Sequence, residues 1–156
     1  MAIREAQIFS VSVINTGSGS GANFRYPYGL SFTRGASSYI FFRYDSATVS
    51  SVPAYNANPD DGVPETVLRV NNVGSSLQIA DICIVRSNVG EICGRNKVDI
   101  SFKRPEFIAH FYDSSLGNPT TNPIESVRIH FNSTRDTTRR WVVEVKLLGQ
   151  ILVYPT

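Results

Sequence analysis

Leu77 to Phe102 reads LQIADICIVRSNVGEICGRNKVDISF, and this stretch decides the fold. It opens with the most apolar run of the chain, Leu77 to Arg86. Ser87, Asn88 and Gly90 then supply residues that tolerate tight turns, and a second apolar run follows from Ile92 to Phe102. Two such runs around a short turn form an antiparallel hairpin. A turn centred on Asn88 sets Ile84 opposite Ile92 and Cys83 opposite Cys93. Register is set by the turn, so a slip of one residue would separate the two cysteines. Leu77 to Arg86 is expected to run through the interior of a sheet.

The same period of two continues on both sides. Upstream, strands are expected over Gln7 to Ile14, Phe24 to Thr33, Ser38 to Tyr44, Thr48 to Val52 and Thr66 to Val73. Pro27 and Gly29 interrupt the second of these, which reads as an irregular or edge strand. Downstream, Glu106 to Tyr112, Glu125 to Ser133, Trp141 to Leu148 and Ile151 to Tyr154 follow. The chain shows no repeat, no heptad and no convincing helix. Eight to ten strands with regular turn signals predict a single domain over residues 1–156, an all-β antiparallel β-sandwich of jelly-roll or Greek-key type. Too little sequence remains for crossover helices, which excludes a parallel sheet.

Composition narrows the function classes. The chain has 156 residues, the length of one domain. Charged residues make up 18%, below the roughly 25% of a typical soluble domain. Lysine occurs only at Lys97, Lys103 and Lys146, so the other 12 of the 15 basic residues are arginine. Arginine and the seven tyrosines suit protein interfaces. A net charge of +2 is too mild to imply nucleic acid. Met1 to Gln7 is polar, and no apolar run of signal-peptide or membrane-helix length follows. The expectation is therefore cytoplasmic synthesis, with the surface of a virion as a destination.

His110 and His130 would face each other if their strands formed a hairpin, and two imidazoles can ligate a metal. No third ligand is evident, so a metal-dependent jelly-roll enzyme is only an alternative. Cys83 and Cys93 are expected as small, reduced core residues; a disulfide clamp would suit an exported or extracellular particle. The run Asn56 to Gly62, followed by Glu65, alternates oxygen ligands as a calcium loop does, but its glycine falls one residue late and Val67 stands where the last carboxylate belongs. Arg135, Arg139 and Arg140 precede Trp141, and Arg95, Lys97, Lys103 and Arg104 form a second basic group; these could grip phosphates, with Trp141 stacking a base. Asp136 inside the first group favours a solvated turn or an intersubunit patch. No nucleophile elbow and no phosphate-binding glycine loop occurs.

The expectation is a non-enzymatic structural or assembly protein with no cofactor and no catalytic or metal site. It would act as a small virion component, such as a phage capsid decoration (cement) protein, through protein–protein contacts. The chain is expected to form a homo-oligomer, a trimer by preference, within a larger assembly. The interface candidates are Tyr26, Tyr28, Tyr55, Arg135, Arg139, Arg140 and Trp141. A carbohydrate-binding module or lectin, carried by Tyr26, Tyr28, Tyr55 or Trp141, is the alternative.

Overall fold

The computed structural model describes residues 3, 7, 8, 27–44, 65–102, 108–113, 123–136 and 138–156. Ten strands run through these residues in chain order: β1 Tyr28–Thr33, β2 Ser38–Tyr44, β3 Glu65–Asn72, β4 Leu77–Arg86, β5 Gly90–Ile92, β6 Lys97–Phe102, β7 Ala109–Asp113, β8 Ile124–Ser133, β9 Arg140–Lys146 and β10 Ile151–Pro155. They form two five-stranded antiparallel sheets, ordered β3-β2-β1-β6-β7 and β10-β9-β8-β4-β5. The sheets pack face to face as an all-β sandwich.

The alternation read in the sequence is what fills the space between the sheets. Leu30, Val98, Ile100 and Phe102 from the first sheet meet Ile82, Ile84, Val127, Ile129 and Val145 from the second, all at 0% exposure. A side chain of this size contributes about 1.5–3 kcal/mol on full burial. Ile79 and Ile82 both reach this core although they are three positions apart, an odd spacing that would put them on opposite faces of a regular strand. The β4–β8 register shifts between Ile79 and Asp81, and the extra residue there resets the alternation.

The β4–β5 hairpin has the expected register, with Ile84 opposite Ile92. Asn88 (φ 65°) and Gly90 (φ 86°) take the left-handed conformation that this tight turn demands. Cys83 and Cys93 meet as placed, but they are joined as a disulfide rather than packed as two thiols.

Several expectations are corrected. Ile92 to Phe102 is not one strand: β5 ends at Ile92, and β6 starts at Lys97 in the other sheet. Gly94, at φ 79°, lies in the crossing. β1 is interior, flanked by β2 and β6, not an edge. Pro27 precedes it, and Gly29 serves packing: a Cβ there would stand 2.5 Å from the Phe42 ring and 2.9 Å from the Ile100 carbonyl oxygen. Gln7 and Ile8, where a strand was expected to begin, are helical in backbone. The rest of that strand, Thr48 to Val52 and the Asn56 to Gly62 run lie outside the described residues. Among the described residues, no helix is long and apolar enough to cross a membrane.

Candidate functional site

The chemically richest surface is the outer face of the second sheet. On β8, core residues Val127 and Ile129 alternate with Ser126, Arg128 and His130, which look outward. Register then builds two cross-strand rows. One runs Cys83–Arg128–Glu144, the other Asp81–His130–Val142.

The first row is an ion-pair network. Arg128 donates from Nε to Glu144 Oε1 at 3.2 Å and from Nη1 to Glu91 Oε1 at 3.0 Å. Ser126 Oγ donates to the same Glu144 oxygen at 2.9 Å, and the Tyr154 hydroxyl approaches Glu144 Oε2 at 3.4 Å. Glu144 is 6% exposed, so these contacts replace the water it has lost. Burial opposes the Arg128 charge, yet the hydrogen bond to Glu91 and the charge of Glu144 outweigh it and raise its pKa. Burial first, then the Glu144 charge, pushes the Tyr154 hydroxyl above its ordinary value near 10.

The second row borders the disulfide. His130 Nε2 lies 3.5 Å from Cys83 Sγ. Asp81 Oδ1 accepts the backbone N–H groups of Ile82 at 2.8 Å and Gly94 at 3.0 Å, which orients the carboxylate. A groove of about 440 Å³ opens beside them, lined by Ala80, Asp81, His130, Asn132, Arg140 and Thr156.

His130 therefore sits in a site, but without the other histidine. His110 pairs with Ser101 in the first sheet, whereas His130 pairs with Asp81 and Val142 in the second. β7 and β8 lie in different sheets and do not pair as a hairpin, so the facing histidine pair does not exist.

The expected interface residues divide. Arg135, Arg139 and Arg140 are exposed around the β8–β9 turn. Arg139 pairs with Asp136 at 3.1 Å. Thr138 holds the Asp136 carboxylate through its hydroxyl and its N–H, which with the nearby Arg139 lowers that pKa. Trp141 is half-buried and lines an apolar cleft of about 300 Å³ between the sheets, with Tyr39, Phe131 and Val143. Tyr28 opens β1 and stacks on Phe41 with ring centroids 6.1 Å apart, so it belongs to the packed layer rather than a free loop. Tyr26 and Tyr55 lie outside the described residues, as do Lys103 and Arg104 of the second basic group. Arg95 of that group is bound to buried Asp113 at 2.6 Å, and Lys97 lies 3.4 Å from Asp99. These two cations are spent on internal ion pairs.

Two features were not foreseen. The placing of the His130 imidazole beside the Cys83 sulfur depends on the β4–β8 pairing, which joins residues 47 apart in sequence. The outermost strands also carry exposed apolar side chains. On β3 these are Val67 at 44%, Leu68 at 42% and Val70 at 61%; on β10 they are Leu152 at 43% and Val153 at 53%. Leu68 is the extra residue of a bulge opposite Phe41 and Phe42. A bulge twists an edge away from further pairing, and Pro155 ends β10, so neither edge offers a regular ladder to an added strand.

No family model, no curated protein and no solved structure matches this chain.

Proposed function

We propose that this chain is a non-enzymatic assembly protein that associates with copies of itself through the outer strands and the arginine-bearing β8–β9 turn. Such a subunit would serve as a small component of a larger particle, as a capsid decoration protein does. The single observation that carries this reading is the half-exposed aliphatic set on β3 and β10, each one of the two edge strands of its sheet. Loss of the remaining exposure gives roughly 1 kcal/mol per residue. Five such residues yield about 5 kcal/mol, close to the lower bound for the cost of association. Arg135, Arg139 and Arg140 are suited to supply the remainder, since arginine makes planar, multidentate contacts at interfaces.

The experiment is size-exclusion chromatography with light scattering on the wild type, on Val70→Lys with Val153→Lys, and on Arg139→Glu with Arg140→Glu. A wild-type oligomer that falls to monomer in both variants, with circular dichroism unchanged, supports the proposal. Oligomer mass unchanged in both variants overturns it.

A further inference from the structure

The disulfide sits inside a set of metal-ligating groups. Carboxylate, imidazole and sulfur atoms of Cys83, Glu91 and His130 lie within 4.8 Å of one another, and so do those of Asp81, Cys83 and Cys93. Cys83 belongs to both groups. The backbone explains why they meet. The β4–β5 turn places Cys93 against Cys83, while the β4–β8 register brings His130 opposite Asp81.

We propose that reduction of the Cys83–Cys93 disulfide converts this place into a zinc site with Cys83, Cys93, His130 and Asp81 as ligands. Oxidised, the sulfurs are bonded to each other and offer no thiolate. A dithiol reductant transfers two electrons and two protons to the S–S bond, leaving two thiols and a disulfide on the reductant. Zinc then takes both sulfurs as thiolates and releases their two protons to solvent, while neutral His130 contributes the lone pair of Nε2. Two sulfurs, one nitrogen and one carboxylate oxygen form a four-coordinate donor set of the kind that selects zinc over harder cations.

Asp81 is the better carboxylate for the fourth position. Its Oδ1 is already held by two backbone N–H groups, which fixes the side chain beside the sulfurs. Glu91 is instead engaged by Arg128. Arg140 lines the same groove as Asp81 and His130, and its charge offsets the net negative charge of two thiolates and one carboxylate on a divalent ion. The site is thus gated by redox state, with zinc bound only by the reduced form.

The test uses the full chain with zinc alone, titrated against a chromophoric chelator, after incubation with or without a dithiol that is then removed. The reduced protein is expected to bind one zinc per chain at least tenfold more tightly than the oxidised protein. His130→Ala and Asp81→Asn should each weaken the reduced form about tenfold or more. Cobalt(II) substitution should show thiolate-to-metal charge-transfer absorption that Cys83→Ser removes. If reduction loosens the fold, added zinc should restore the strand signal in circular dichroism, because binding and folding are coupled at such a site. Equal zinc affinity in both redox states, a reduced form indifferent to His130→Ala, or a loosened fold that zinc fails to restore would each overturn the proposal.

Discussion

Replacing both Cys83 and Cys93 with serine tests how much the covalent link contributes to the β4–β5 hairpin. The two residues are 10 apart in sequence. Chain-entropy arithmetic for a loop of that length gives about 2.7 kcal/mol at 25 °C. Cys83 is 1% exposed, so its replacement also buries a hydroxyl in place of sulfur, which adds about 1 kcal/mol. Cys93 is exposed and adds little. The total is about 3–4 kcal/mol, or roughly 10 °C in Tm for a domain of this size. Thermal and urea unfolding of the double variant, beside wild type with and without reductant, measure it. Wild type under reductant should lose most of the same increment, and folded wild type without reductant should expose no titratable thiol. A double variant that melts within about 2 °C of wild type would refute the reasoning, since a loop closure worth ~2.7 kcal/mol cannot vanish in Tm.

Gly29→Ala should destabilise the fold by about 1–3 kcal/mol, because its Cβ meets the Phe42 ring and the Ile100 carbonyl; urea midpoints would show it, and a neutral effect would mean that Phe42 moves freely. Asp113→Ala should cost about 3 kcal/mol by stripping Arg95 of a fully buried partner, again read by urea unfolding. Tyr154 has a folded-state pKa above its ordinary value, so its contribution is intact below pH 10 and is lost as pH rises through the folded value. Stability of wild type should therefore fall in alkaline solution more steeply than that of Tyr154→Phe, and parallel curves would exclude the effect.

The legible parts of the fold were those governed by local rules. The Ser38–Tyr44 and Leu77–Arg86 strands match the structure at both ends, because each is a long apolar run bounded by turn residues. The Ile84–Ile92 pairing followed from Asn88 and Gly90 alone. Ile92 to Phe102 was misread because a chain that changes sheets keeps its alternation; only Gly94 and Asn96 mark the crossing. His110 and His130 were misread for the opposite reason, since a long polar loop fits a crossing between sheets as well as a hairpin. The facing of Cys83 and Cys93 across one turn could be read, but not their disulfide, and the His130–Cys83 proximity needs β4 and β8 to be neighbours, which no local pattern encodes. The apolar outer strands were equally hidden: Val67 and Val70 look like core residues until β3 is known to lie at the edge.

Sedimentation equilibrium on the purified wild-type chain, over about a hundredfold range of concentration, asks most directly whether these outer strands join copies of the protein. Self-association through β3, β10 and the β8–β9 turn predicts a mass that rises to a defined multiple of 17.2 kDa. A single species of 17.2 kDa at every concentration would contradict it.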